Sequence, residues 1–262
     1  MNELATCFEL AGVSHRYESD RQGTDALLDV NLDLKHGEFV SLLGPSGCGK
    51  STLLKFACGL LSPSSGKVSL LGETAQTLGQ VGYMPQQDLL FQWRTVLDNA
   101  IIGLQTEGVS KKEARSAALR QFKAFGLEGF ENHYPSQLSG DMRQRAALLR
   151  TFLVDRPLYV LDEPFGKLDS LTRLSMHRWL TDIWRDRKAA ILFVTHDVDE
   201  ALFLSDRIYV MSSRPGRILE SASVDLPRPR NHISMTQNPN VSNLKAKLLG
   251  LLETNLNEES DG

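Results

Sequence analysis

The sequence predicts an α/β fold: a parallel sheet covered by helices carries a phosphate-binding loop, with antiparallel strands in front and a helical segment inserted in the middle. Three observations lead there. The runs LYVLD (158–162), AAILFV (189–194) and RIYVM (207–211) are short and apolar nearly throughout, as buried parallel strands are, and the helical spacing of Leu171 to Trp184 separates the first two. The run 38–43 feeds the glycine-rich GPSGCGKST and then a helix-compatible stretch, Thr52 to Leu60, which gives strand, loop, helix. Over the first 35 or so residues Leu28, Val30, Leu32 and Leu34 alternate with Asp29, Asn31, Asp33 and Lys35, the period of a strand with one wet face.

The remaining elements follow in order. SPSSGKVSLLGE (62–73) reads as a turn cluster followed by a short strand. Ser110 and Glu113 form a capping box ahead of Ala114, Ala118, Phe122 and Phe125, and Gly126 stands where that helix would end. A second helix fits Gly140 to Val154, stopped before Pro157. The helical stretch, about 87–155, therefore reads as an insertion into one α/β domain spanning 5–221. The tail, 222–262, is polar, with PRPR at 227–230 and NEESDG at the end; its amphipathic piece Leu244 to Leu252 is expected to dock as a terminal helix and the rest to be loose.

Composition narrows the function by exclusion. The chain has 262 residues, 41% hydrophobic, and 29 Lys+Arg against 32 Asp+Glu leave a net charge of −3, so nucleic acid is not expected as a partner. No run approaches the roughly 18 to 20 apolar residues of a membrane-spanning helix. The start, MNELATCFEL, lacks a basic region followed by an apolar core, which predicts a cytosolic chain. Cys7, Cys48 and Cys58 form neither a CxxC pair nor an even set, against a disulfide framework or a zinc ribbon.

Two motifs carry chemistry. Gly44, Gly49, Lys50 and Ser51 satisfy GxxxxGK[ST]: backbone N–H groups of the loop, which also holds Pro45, Ser46, Gly47 and Cys48, point at phosphate oxygens, and the next helix, with Thr52 in its first turn, offers its positive end. Lys50 neutralises the outer phosphates and Ser51 can ligate Mg²⁺. LYVLDE puts Asp162 at the end of a buried strand, where it can complete the Mg²⁺ shell, and Glu163 next to it, where it can deprotonate the attacking water. A helix N-terminus can lower the pKa of the Cys48 thiol, although a small side chain filling a tight loop is the simpler role.

A third motif, LSGDMRQR (138–145), precedes LDEP (161–164), LD (168–169) and VTHD (194–197). With it the chain resembles the ATP-binding subunits of ABC transporters over roughly residues 5 to 220. The resemblance implies an ABC ATPase with an antiparallel β subdomain, a RecA-like parallel sheet core and an inserted helical subdomain, using ATP and Mg²⁺. It also implies a head-to-tail dimer, either a homodimer or a pair with a paralogue. Ser139 and Gly140 would then touch ATP held by the partner, Asp169 would act across the interface, and His196 would contact the γ-phosphate. Gln86 in GYMPQQ would reach Mg²⁺ and water; neighbouring Gln87 competes for that role, and Trp93, seven residues after Gln86, favours the latter. Tyr17 would stack on adenine, or is an ordinary strand tyrosine.

The usual second glycine of the signature is Asp141 here. An aspartate facing the partner's γ-phosphate repels it by roughly 4 kcal/mol at about 4 Å and an effective dielectric near 20, before relaxation and screening. The local gain from an acid at a helix N-terminus is only about 0.3 to 1 kcal/mol. Weakened closure, or a paralogue with a better signature, is the expectation. DLLFQWRTVLDN (88–99) and DEPFGKLDSLTR (162–173) resemble the importer branch for nitrate, sulfonates, taurine and thiamine-precursor pyrimidines. That branch implies a membrane permease and an extracytoplasmic substrate-binding protein as partners, with this chain held peripherally on the cytoplasmic side of the plasma membrane.

Overall fold

The structure, a computed structural model, describes residues 5–18, 23–74, 77–185, 187 and 189–258. The outer sheet is built from β1 (Thr6–Tyr17) and β2 (Thr24–Lys35), paired antiparallel, with two later strands added on the far side of β1. Val30, Leu32 and Leu34 are buried, as their alternation predicts. Leu28 is only half-buried, because three residues of β1 (Val13 to His15) face four of β2 (Val30 to Leu27), a bulge at which Asp29 takes φ 50.

β3 (Phe39–Leu43) is buried at every position and leads through the glycine-rich loop into α1 (Lys50–Ala57). That helix starts two residues before the expected Thr52 and stops three before Leu60, because the chain turns at Cys58 and Gly59. β4 (Ser65–Leu70) and β5 (Glu73–Thr74) complete the outer sheet in the order β2-β1-β4-β5. β6 (Val81–Met84) is a strand that sequence patterning misses: it has four residues, and Gly82 leaves space that the Tyr159 ring fills.

The inserted helices are α2 (Val96–Ala100), α3 (Ile102–Thr106), α4 (Lys111–Phe122) and α5 (Gly140–Phe152). Ser110 caps α4, its hydroxyl accepting from the Glu113 N–H (3.3 Å) and donating to the Glu113 carboxylate (2.6 Å). Ala114, Ala118, Phe122 and Phe125 are buried along the face that spacing predicts. Near the end of α5, Arg150 donates to the carbonyls of Asp88 (2.6 Å) and Leu89 (2.8 Å), tying that helix to the chain leaving β6.

β7 (Leu158–Asp162) pairs in parallel with β6, so the insertion departs from one strand and returns on its neighbour. After it come α6 (Ser170–Arg185), β8 (Ala190–Thr195), α7 (Val198–Leu204), β9 (Arg207–Met211) and β10 (Ile218–Ser223). The inner sheet has the order β10-β9-β3-β8-β7-β6, parallel except for the hairpin pair β9–β10. No helix among the described residues is long and apolar enough to cross a membrane.

The tail differs from expectation. β10 runs through the expected boundary at 221, followed by α8 (His232–Thr236) and α9 (Pro239–Glu258), which buries Val241 and Leu248 against Val198, Leu202 and Val210. PRPR is not loose: the Arg228 guanidinium pairs with Asp206 (2.8 Å), and Arg230, 8% exposed, donates to the carbonyls of Leu202 (2.9 Å), Phe203 (3.0 Å) and Ser205 (2.6 Å). A buried guanidinium thereby satisfies the carbonyls that the end of α7 leaves without helical partners. The last residues of NEESDG, 259–262, lie outside the described residues. Arg230→Ala should lower stability by about 1.5 to 3 kcal/mol, since several buried acceptors lose a charged donor; a urea midpoint unchanged from the native chain contradicts this capping role.

Candidate active site

Five neighbouring parallel strands, β9, β3, β8, β7 and β6, end on one edge of the inner sheet, the edge where open α/β sheets hold ligands. The phosphate loop follows β3, His196 follows β8, Asp162 and Glu163 end β7, and Gln86 follows β6. A cavity of about 440 Å³ there is lined by Ser46, Gly47, Gly49, Lys50, Ser51, Thr52, Gln86, Asp162, Glu163, His196 and Arg214. Sequence reasoning names all of these but the last.

The loop conformation depends on glycine at Gly49, which has φ 104 and whose Cβ would lie 2.6 Å from Leu27 Cδ2 and 2.8 Å from the Ala26 carbonyl oxygen. Lys50 is buried at 8% exposure and its ammonium donates to the carbonyls of Gly44 (2.6 Å) and Pro45 (2.7 Å). The Cys48 side chain fills the space beneath, 3.7 Å from Lys50 Nζ. Burial pushes its thiol pKa up and outweighs the pull of Lys50, so the low-pKa reading gives way to that of a filler.

Glu163 takes φ 44 while its N–H donates to the Val194 carbonyl (3.0 Å), a left-handed conformation that costs a non-glycine residue about 1 to 3 kcal/mol and clusters at functional sites. That conformation presents both carboxylate oxygens to partners. Oε2 accepts from Gln86 Nε2 (2.9 Å), and Oε1 lies 3.4 Å from His196 Nδ1. Gln86, not Gln87, is therefore the glutamine at the cavity. Burial first, and then the neighbouring Glu163, raise the Asp162 pKa from 3.8 to about 6, against an opposite pull from Lys50.

A folded-state pKa above the unfolded one means that stability is fully present below pH 4 and is lost as pH rises through 6. Asp162→Asn should therefore stabilise the ligand-free chain at pH 7.5 by about 1 to 2 kcal/mol after solvent screening, a rise in Tm on the order of 2 to 6 °C. The gain should vanish by pH 4; a thermal shift that is the same at both pH values removes the buried charge as its cause.

The other expected site residues stand elsewhere. Tyr17 flanks the cavity, its hydroxyl 3.1 Å from Thr52 Oγ1. Ser139 caps α5, and its hydroxyl is hydrogen-bonded to the Asp141 carboxylate; neither Ser139 nor Gly140 lines the cavity. Asp169 accepts from the N–H groups of Leu171 and Thr172 (3.1 Å each) at the start of α6; hydrogen bonding from the Thr172 side chain first, and then from these N–H groups, holds its pKa below the usual range. Sequence reasoning also misses what braces the His196 loop. Thr195 donates to Glu200 and accepts from the Asp197 N–H (3.0 Å), while Glu200 is 2.8 Å from His177 Nε2, all three side chains being buried. Residues on two different helices meet there, and no local pattern marks them.

Residues 27–166 match the ABC transporter family. The chain belongs to that family. This ABC ATPase is 48% identical over 215 residues to the formylaminopyrimidine import ATP-binding protein ThiZ of Halalkalibacterium halodurans, covering 82% of each chain. It is 42% identical over 234 residues to the aliphatic sulfonates import ATP-binding protein SsuB of Bacillus licheniformis, covering 88% of each. Among solved structures, a dimeric ATP-binding cassette in a post-hydrolysis state bound to ADP and Pi matches this ABC ATPase with a TM-score of 0.74 at 31% identity, over 84% of this chain and 100% of that one.

Proposed function

We propose that this ABC ATPase is the energising subunit of an importer for a small solute of the sulfonate, taurine, nitrate or pyrimidine-precursor type. The supporting observation is the separation of Ser139, Gly140 and Asp169 from the chain's own phosphate cavity. A second subunit, placed head to tail, supplies that half of the site. The names of the relatives and the dimeric cassette among the structural matches support the same reading.

The chemistry follows from the cavity. Loop N–H groups and Lys50 hold the phosphate chain, Tyr17 lies against adenine, and Glu163 accepts the proton of the attacking water, with His196 and Gln86 fixing its carboxylate. Ser51, Gln86 and Asp162 bring hard oxygen donors into the one cavity, a set that suits Mg²⁺. Bound there, Mg²⁺ would supply neutralisation of phosphate charge.

The permease contact is assigned to the segment entering α2. Leu89, Phe91 and Trp93 are 57%, 38% and 74% exposed, the two rings pack at 5.1 Å, and Arg94 lies over Phe91. Apolar surface presented in this way beside Gln86 suits a docked helix end. The ATPase sits on the cytoplasmic side of the plasma membrane through this contact, and an extracytoplasmic binding protein brings the solute.

Reconstitution of the chain with a candidate permease and binding protein in vesicles tests this. Solute-loaded binding protein should stimulate ATP hydrolysis, and Trp93→Ala should lose the stimulation while the isolated subunit's basal rate is kept. Hydrolysis indifferent to every permease and binding protein of this branch refutes the importer reading.

A further inference from the structure

The strand β9 lies beside β3, the strand that carries the phosphate loop, and its carboxyl end opens into the hairpin 212–217 that returns as β10. The turn is built tightly. The Ser212 N–H donates to the Arg217 carbonyl (2.9 Å), and the Arg217 N–H donates to Ser212 Oγ (2.9 Å). The Gly216 N–H donates to the Ala26 carbonyl and the Leu28 N–H to the Gly216 carbonyl, both at 3.0 Å, so the hairpin is stitched to the outer sheet as well. A Cβ at Gly216 would fall 2.0 Å from the Cys48 carbonyl oxygen, which means that the turn rests directly on the phosphate loop. At its apex stands Arg214, exposed, lining the same cavity as Ser46, Gly47, Lys50 and Ser51.

Charge then points to a ligand. The cavity already holds two carboxylates, Asp162 and Glu163, while the Lys50 ammonium is engaged by two loop carbonyls. Arg214 joins no ion pair among the described residues. A guanidinium presents planar, paired N–H donors that match phosphate oxygens, and one fixed on a braced turn loses little freedom in binding them.

We propose that Arg214 is a nucleotide-binding residue whose guanidinium contacts the phosphate chain of ATP. The strand next to the phosphate loop's own thereby supplies a second cation from the same chain. This deepens the site reading above and rests on the cavity being the nucleotide site.

The test titrates fluorescent analogues of ATP, ADP and AMP into the full chain for the native protein, Arg214→Gln, Arg214→Lys and Lys50→Ala. Arg214→Gln should weaken ATP binding on the order of 10-fold, ADP less and AMP least; Arg214→Lys should recover part of the loss; the native protein's salt dependence should fall in the glutamine variant. Because Arg214 is exposed, its melting temperature should stay that of the native chain. ATP bound by Arg214→Gln as tightly as by the native protein, while Lys50→Ala loses it, overturns the Arg214 assignment alone. An equal loss for all three nucleotides also overturns it, since the contact would then be to the nucleoside. Unchanged binding in Lys50→Ala overturns the cavity reading beneath both.

Discussion

Glu163→Gln should keep ATP affinity near that of the native chain and accumulate an ATP-bound dimer, while turnover falls about 10²- to 10⁴-fold, the range expected when a positioned general base is removed. Glutamine preserves the shape of the side chain and one acceptor oxygen, so either the Gln86 contact or the His196 contact can persist. What disappears is the capacity to take a proton from water. Lys50 and the loop amides are untouched, so binding is spared. Turnover within about threefold of native, measured by phosphate release at saturating ATP, removes Glu163 from the role of base.

Asp141→Gly should raise the ATPase rate of the purified chain about 10-fold or more. The roughly 4 kcal/mol of bare repulsion expected between the aspartate and the opposing phosphate is reduced by relaxation and counter-charge, but even half of it exceeds a factor of ten. The structure adds a second cost: Asp141 accepts the hydrogen bond of the Ser139 hydroxyl, a donor that the proposed head-to-tail closure would need. Asp141→Asn separates the two effects by removing the charge while keeping an acceptor. A glycine variant no faster than native shows that the aspartate is accommodated.

Much of this was legible from sequence, and particular residues show why. The phosphate loop, Asp162, Glu163 and His196 were identifiable because each follows a buried strand whose apolar run is its own signal, Ala190–Thr195 being buried at every position. Boundaries were less legible. α1 begins at Lys50 because the loop's hydrogen bonding, not the apolar spacing, decides where helix starts. Composition also misjudged the tail, since Arg228 and Arg230 read as solvated charge until carbonyls and Asp206 are seen around them. Arg214 was invisible for a related reason: its place at the cavity depends on Gly216 resting on Cys48, a contact between segments 168 residues apart along the chain (216 − 48).

α5 is tied to Asp88 twice: Arg143 in its first turn pairs with the Asp88 carboxylate (3.5 Å), and Arg150 at its carboxyl end donates to the carbonyls of Asp88 and Leu89. Its 13 residues span about 20 Å, with Ser139 at the other end. A push on the exposed Leu89–Trp93 segment therefore need not travel through the sheet. It would meet α5 at Asp88, the residue to which Arg143, one turn after Ser139, is also tied, so the two ends of the helix would respond together.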